Sequence, residues 1–322
     1  MRGCDPDNPR PIDVLCIGET MALVVPASAV PVERADDFRV EAGGAESNVA
    51  SHLASAGRRA EWFSALGDDA LGRRTLSRIA AHGVATERVR LDPSAPTGLY
   101  VKDPGNGVTY YRRGSAASRL SPDDLTGIDW TEVGVLHLSG ITLALSDSCR
   151  ALVHAAIDEA RAAGALISFD VNHRPALWPS LAVAAEVIRE TALRADIVLV
   201  GRDEAETLWG TTTAADVRSV FSAAPHLVVK DADIEAVEFS SAGTTTVPAL
   251  RVDVVEAVGA GDAFAAGWLD GFLAGDDAAA RVARGHACAA RALSSTHDVP
   301  TNHLPTSDSA GTPTATEGSA RS

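Results

Sequence analysis

The chain has 322 residues, of which 46% are hydrophobic and 5% aromatic, enough apolar material for a large independently folding domain. Its 28 basic and 43 acidic residues give a net charge of −15, and lysine and arginine form no cluster, which argues against binding to a nucleic acid backbone. No apolar run reaches the roughly 18 to 20 residues that span a bilayer. Asp5, Pro6 and Asp7 stand where a signal peptide would be basic and then apolar, so we expect a cytoplasmic protein without a membrane partner.

The cysteines are too scattered to form a framework. Cys4, Cys16, Cys149 and Cys288 include no CxxC pair and no zinc-like spacing with histidine. We therefore expect reduced thiols and neither disulfides nor a zinc site.

Short apolar runs alternate with amphipathic segments along the chain. The first predicted strand covers 14–17 and ends at Gly18. Further strands are predicted over 62–66, 133–138, 166–170, 197–200 and 227–230, and helices over 47–56, 71–81, 147–163, 181–193, 262–274 and 278–293. This alternation predicts an α/β fold with a mainly parallel sheet covered by helices on both faces.

Two segments interrupt the alternation, at about 20–42 and 97–114. In the second, two short strand-like runs flank the turn sequence Pro104-Gly105-Asn106-Gly107, which indicates a hairpin. Together the segments predict a small β-sheet over the carboxyl ends of the main strands, where α/β proteins bind ligands. We expect one domain over 12–299, with disordered tails at 1–11 and 300–322.

Small residues open one of the last predicted helices. Gly259, Ala260 and Gly261 leave backbone N–H groups unblocked at the positive helix end, and Asp262 follows in the first turn. Such a site suits the charge on a transferring phosphoryl group, with Asp262 placed to accept a proton from an attacking hydroxyl. The alternative is an ordinary glycine-rich helix start with an aspartate favoured by the helix dipole.

A second glycine pair precedes an early helix. Gly43 and Gly44 allow a polyol to approach the backbone closely, and Asn48, one turn later, offers both a donor and an acceptor to hydroxyl groups. Alone, the glycine pair would indicate only a turn. Together with the later Gly-Ala-Gly-Asp sequence, the pair is a more specific indication of a binding site.

With these two motifs the sequence resembles the ribokinase-like (PfkB) family of carbohydrate kinases over about 14–299. The resemblance implies a three-layer α/β/α core, ATP and Mg²⁺ as cofactors, Asp262 as catalytic base and the 259–261 amides as anion hole. It also implies that the small sheet is a lid over the sugar and pairs with a neighbour's lid, so that the protein is a homo-oligomer.

Two further stretches resemble the 2-keto-3-deoxygluconate kinase branch of that family. The first, 109–122, contains Tyr110 and Arg112, and the second, 169–178, contains Arg174. A guanidinium binds a carboxylate through two parallel hydrogen bonds, and tyrosine hydroxyls are further donors. We expect Tyr100, Tyr110, Arg112 and Arg174 to hold the carboxylate of a sugar acid, whereas the alternative for each arginine is a solvated surface charge.

The sequence departs from the family at two places near the expected nucleotide. In the Asn-x-x-Glu motif Glu204 is kept, as an indirect contact to the metal, but Gly201 replaces the Asn. After Lys230, Ala232 and Glu235 stand where relatives have glycines, whose backbone angle Ala and Glu tolerate poorly. By resemblance Lys230, Ala232, Glu235 and His286 would surround the nucleotide, although the small residues near His286 are equally compatible with helix packing.

The sequence thus predicts a kinase that transfers the γ-phosphoryl group of ATP to 2-keto-3-deoxygluconate, forming the 6-phosphate. The alternatives are another sugar kinase of this family (fructokinase, ribokinase or 5-dehydro-2-deoxygluconokinase) or a non-catalytic sugar-acid sensor on the same fold.

Overall fold

The structure, a computed structural model, describes residues 11–255, 258–295 and 299. The predicted tails at 1–11 and 300–322, except for Pro11, lie outside the described residues, as do residues 256–257 ahead of the late glycine motif and residues 296–298. The strands are β1 (Ile12–Ile17), β2 (Met21–Pro26), β3 (Phe38–Gly43), β4 (Ala60–Gly67), β5 (Val89–Asp92), β6 (Leu99–Asp103), β7 (Gly107–Tyr111), β8 (Val133–Ser139), β9 (Leu166–Asp170), β10 (Ile197–Gly201), β11 (His226–Asp231), β12 (Glu235–Ser240) and β13 (Gly243–Pro248). The helices are α1 (Ala45–Ser55), α2 (Ala70–Ala81), α3 (Gly140–Leu145), α4 (Asp147–Ala162), α5 (Leu181–Ala192), α6 (Arg202–Trp209), α7 (Ala214–Val220), α8 (Ala260–Leu273) and α9 (Ala278–Leu293).

The larger sheet has the strand order β13-β12-β11-β10-β9-β8-β1-β4-β5. The strands from β11 to β5 in this order pair in parallel, and β12 and β13 add an antiparallel edge. The carboxyl ends of the parallel strands therefore meet at one edge of the sheet, as the predicted fold requires.

Two hydrophobic clusters cover the two faces of this sheet. Alternation along β1 places Leu15 and Ile17 in one cluster and Val14 and Cys16 in the other. Helices α4 to α7 supply the first cluster, and α1, α2, α8 and α9 the second. The predicted three-layer arrangement, helices on both sides of a mainly parallel sheet, is confirmed.

The predicted elements are present, with ends that differ by about two residues or less. Not predicted were β5, β12, β13 and the helices α3, α6 and α7. The edge strand β13 has the sequence GTTTVP and is largely exposed, so it lacks the apolar run that indicates a buried strand.

The two segments that interrupt the alternation form the predicted small sheet, in the order β3-β2-β6-β7. β6 and β7 form the predicted hairpin, with Tyr100 opposite Tyr110. Gly105 in the connecting turn has a φ of 85°, which explains the glycine there. No helix within the described ranges combines the length and apolar character needed to cross a bilayer.

Candidate active site

Helices α1 and α8 bring the two glycine motifs together. The Nδ2 group of Asn48 donates a hydrogen bond of 2.9 Å to Oδ2 of Asp262, although 214 positions separate them. Nε of Arg58, three residues after the end of α1, donates to Oδ1 of Asp270 on α8 at 2.7 Å. Because α8 is bonded both to α1 and to the segment that follows it, the side chains of Asn48 and Asp262 are held in a fixed relation.

Protein groups lie close to the first glycine pair, whereas the predicted approach of a polyol stays a prediction. A side chain at Gly43 would collide with the hydroxyl group of Tyr100. A Cβ at Gly44, the N-cap of α1, would lie 2.6 Å from Oγ1 of Thr20. The two glycines therefore let the beginning of α1 lie directly against β6 and the residues that connect β1 to β2.

The second glycine motif begins α8, a helix of 14 residues. Gly259 is its N-cap and has a φ of 81°, in the left-handed region that favours glycine. Among the described residues, the atom nearest to a Cβ at Gly261 would be Nζ of Lys230, at 3.9 Å, so no described group crowds this residue. The first turn of α8 thus offers backbone N–H groups and a neighbouring cation to an anion.

Lys230, near the end of β11, is surrounded by carboxylates. Its Nζ donates a hydrogen bond of 2.8 Å to Oδ2 of Asp170, at the end of β9. Burial alone would lower the pKa of Lys230, but the carboxylates of Asp170, Glu204 and Asp262 outweigh burial and raise it above 10.5. The lysine is therefore a permanent cation beside the start of α8.

Glu204, in the first turn of α6, is held by the backbone. Its Oε1 accepts from the N–H of His173 and its Oε2 from the N–H of Gly201, both at 2.8 Å. Burial and then the nearby Asp170 raise its pKa. A Cβ at Gly201 would lie 2.6 Å from Oδ1 of Asp203, so replacing the family's Asn with glycine leaves room for these neighbours.

Arg202, next to Gly201, pairs with two carboxylates. Its Nε donates to Oδ1 of Asp231 at 2.8 Å, and its Nη1 donates to Glu206 at 3.0 Å. The bond to Asp231 ties α6 to the end of β11.

The turn between β11 and β12 confirms the backbone prediction at Ala232 and corrects it at Glu235. Ala232 has a φ of 43°, in the left-handed region that alanine tolerates poorly. Glu235 is the first residue of β12 and has no positive φ, because the turn has already ended there. Its nucleotide contact stays a prediction.

His286, on α9, is buried beneath β13. Its Nε2 lies 3.0 Å from the carbonyl oxygen of Val247, and its ring meets Phe264 edge-on at 5.2 Å. Burial lowers its pKa, so the ring is neutral at pH 7. These contacts are those of a packed helix residue, and the contact of His286 with the nucleotide also stays a prediction.

The small sheet brings the predicted carboxylate ligands into one row, with one exception. The rings of Tyr100 and Tyr110 stack at 5.7 Å, and the guanidinium carbon of Arg112 lies 5.8 Å from the centre of the Tyr110 ring. Arg174, in contrast, is exposed in the loop after β9, where its Nη1 donates to the carbonyl oxygen of His173 at 3.2 Å. At one end of this row the hydroxyl of Tyr100 lies against Gly43, and Arg112 forms the other end.

Sequence reasoning missed three buried polar residues near the site. Glu19 pairs with Arg112, and Glu46 accepts hydrogen bonds from Ser139 and Thr142. His137 lies near Asp170 and Lys230, and burial lowers its pKa to about 4. The partners of these residues are far away along the chain, so no local pattern marks them. A charged residue between apolar residues, such as Glu19 between β1 and β2, is nevertheless a signal that could have been used.

The family comparison agrees with this geometry. Residues 11–304 match the family described as pfkB family carbohydrate kinase. The chain belongs to this family. It is a sugar kinase, and kinases of this family use ATP.

Several proteins resemble this kinase over most of their length. The 2-dehydro-3-deoxygluconokinase of Bacillus subtilis (strain 168) is 35% identical over 309 residues, which cover 92% of this chain and 93% of that one. The protein of the same name from Thermoproteus tenax is 33% identical over 275 residues, 83% of each chain. Proteins named fructokinase also match, at about 30% identity. The crystal structure of a PfkB protein from Polaromonas sp. JS666 is 35% identical, has a TM-score of 0.82 and covers 88% of this chain and 96% of its own.

Proposed function

We propose that this kinase phosphorylates 2-keto-3-deoxygluconate, a name for the same compound as 2-dehydro-3-deoxygluconate, on the hydroxyl remote from its carboxylate. The observation that carries the proposal is the row of Tyr100, Tyr110 and Arg112. The hydroxyl of Tyr100 lies against Gly43, which is five residues before Asn48 in the chain. The acid end of a six-carbon substrate would meet this row, and its far hydroxyl would reach Asp262. Relatives named for this substrate support the proposal.

In the proposed reaction Asp262 accepts the proton of the attacking hydroxyl, while Asn48 orients its carboxylate. The N–H groups at 259–261 and the ammonium of Lys230 stabilise the charge on the γ-phosphoryl group. Arg112, the two tyrosines and the exposed Arg174 hold the substrate carboxylate. Closure of the small sheet as a lid would exclude water from the reacting atoms.

Among the described residues, Asp170 and Glu204 would suit Mg²⁺. Oδ1 of Asp170 is buried and has no hydrogen-bond partner in the described structure, and carboxylate oxygens are the ligands that Mg²⁺ prefers. The described residues contain no group of three or more His, Cys, Asp or Glu side chains arranged around one point, so the ion would keep several of its waters. When bound, Mg²⁺ supplies charge neutralisation to the phosphates.

The small sheet also has the features of an interface with a second copy. Its edge strand β7 is exposed along its whole length, including Val108 and Tyr111 at 40% and 61% exposure. An edge strand with exposed apolar side chains favours pairing. We expect a homo-oligomer through this strand, which light scattering would detect.

A coupled assay of ADP release tests the substrate. The panel contains 2-keto-3-deoxygluconate, its galacto isomer, 5-dehydro-2-deoxygluconate, fructose and ribose, and NMR locates the phosphate on the product. We expect the keto-deoxy acid to have the highest kcat/KM. We expect Arg112→Ala to lower that value about 100-fold, as loss of a charged bidentate partner does, and the exposed neighbour variant Arg113→Ala to change it little. A higher kcat/KM for fructose or ribose, or equal losses on acid and neutral sugars in Arg112→Ala, would contradict the proposal.

A further inference from the structure

All four passages of the chain between the two sheets meet at Glu19. The chain enters the small sheet after β1 and before β6, and leaves it after β3 and after β7. Glu19 lies on the first passage. A Cβ at Gly98, before β6, would lie 2.8 Å from its Oε1, and one at Gly44, after β3, would collide with its carbonyl oxygen. Arg112 and Ser115, after β7, bond to its side chain.

The carboxylate of Glu19 is completely buried, with a side-chain exposure of 0%. Its Oε1 accepts from Oγ of Ser115 at 2.6 Å, and its Oε2 accepts from Nε of Arg112 at 2.7 Å and from Nη2 of the same guanidinium. Because an unpaired buried charge is costly, these bonds hold Arg112 and Ser115 firmly to the first passage.

The bonds to Glu19 leave one side of the Arg112 guanidinium available. Arginine has five N–H donors in a rigid plane, and Glu19 engages the edge formed by Nε and Nη2. Nη1 makes no hydrogen bond to any residue that the structure describes. The guanidinium also lies beside Tyr110, which stacks on Tyr100. A substrate carboxylate can therefore pair with the remaining Nη1 side while Glu19 keeps its own bonds.

We propose that Glu19 is a positioning residue for the sugar-acid carboxylate: it fixes the guanidinium of Arg112 at the base of the small sheet and presents its Nη1 side to the substrate. The inference rests on the proposed function, because it assigns the carboxylate of that substrate to Arg112. Glu19 itself does not touch the substrate.

A double-mutant cycle tests this role. Glu19→Gln keeps the size of the side chain and removes its charge, whereas Arg112→Ala removes the group that Glu19 positions. We expect Glu19→Gln to raise the KM for 2-keto-3-deoxygluconate about 10- to 100-fold, with kcat and the KM for ATP changing about threefold or less. The double variant should lose no more than Arg112→Ala alone, because Glu19 acts through Arg112.

Two further variants separate positioning from folding. Glu61 and Arg88 form a less deeply buried Glu–Arg pair elsewhere, with Nε of Arg88 at 2.9 Å from Oε1 of Glu61, so Glu61→Gln should leave the KM for the acid unchanged. Ser115→Ala removes one partner of Glu19 and should raise that KM by a smaller factor, which keeps the test available if Glu19→Gln does not fold.

Two results would overturn the role of Glu19 while leaving the proposed function intact. The first is a loss in the double variant equal to the product of the two single losses, and the second is an equal change in the KM values for acid and ATP in Glu19→Gln. A wild-type enzyme that does not phosphorylate the acid would overturn both.

Discussion

Asn48 donates a 2.9 Å hydrogen bond to the carboxylate of Asp262. This bond joins the first turn of α1, after the glycine pair, to the first turn of α8, after the Gly-Ala-Gly sequence. The amide holds the carboxylate in one orientation, and a general base needs a fixed position relative to the hydroxyl that it deprotonates.

Asn48→Asp would place a second carboxylate beside Asp262. Like charges at this distance raise the pKa of one member of the pair, so we expect the acidic limb of the kcat profile to move upward by about one pH unit or more. Asn106→Asp, in the exposed turn of the hairpin, adds the same charge elsewhere and should leave the profile in place. An unchanged acidic limb in Asn48→Asp would argue against Asp262 as the titrating base.

Lys230→Met removes the cation beside the start of α8. We expect kcat to fall about 100- to 1,000-fold, the loss typical of one electrostatic contact to the transition state, with a smaller effect on the KM of the sugar. Lys102→Met changes the chain's other lysine and serves as the control. A Lys230→Met enzyme with kcat within about threefold of wild type would remove Lys230 from phosphoryl transfer.

The same substitution should lower stability. The raised pKa of Lys230 means that its stabilising effect is complete below its ordinary pKa of 10.5 and is lost only as the pH rises through the higher folded value. At pH 7 we therefore expect Lys230→Met to cost about 3 kcal/mol or more, because the buried Asp170 loses its partner. Urea unfolding at pH 7 measures this loss.

Ala232→Gly should relieve the left-handed backbone at position 232, where φ is 43°. An alanine in this region costs about 1 kcal/mol or more, and the greater entropy of glycine in the unfolded chain offsets part of the gain. We expect a net stabilisation of up to about 1 kcal/mol in urea unfolding, whereas Asp233→Gly, with an ordinary φ in the same turn, should destabilise. Destabilisation by Ala232→Gly would contradict this account.

Glu46→Gln should change how stability depends on pH. Burial raises the pKa of Glu46, although the hydroxyls of Ser139 and Thr142 partly oppose this, and its Oε2 has no hydrogen-bond partner in the described structure. A raised carboxyl pKa contributes stability that is full below 4.5 and is lost as the pH rises through the folded value. The difference in melting temperature between Glu46→Gln and wild type should therefore become more positive from pH 4.5 toward pH 8, and a flat difference would contradict the raised pKa.

The sequence predicted what is local, such as the helix starts at the glycine motifs and the strands with buried apolar runs. The bond between Asn48 and Asp262 could be expected only through the family resemblance, because the fold alone brings positions so distant together. The glycine pair illustrates the limit: the close approach of a polyol is predicted there, but the contacts of the two glycines with Tyr100 and Thr20 are not.

Glu19 and His137 escaped prediction for a related reason. Neither belongs to a spacing pattern, and their partners, Arg112 and Ser168, lie 93 and 31 positions away. Similarly, the edge strand β13 pairs with β12 through backbone bonds that its own exposed, threonine-rich sequence does not indicate.

The kinetics of Asp262→Asn test the central claim most directly. Asparagine keeps the size of the side chain but cannot accept the proton of the attacking hydroxyl. We predict that kcat falls about 100- to 10,000-fold, while calorimetric affinities for the sugar acid and for ATP stay within about threefold of wild type. A kcat within about tenfold of wild type in a correctly folded Asp262→Asn enzyme would contradict the assignment of Asp262 as the base and, with it, this account of the active site.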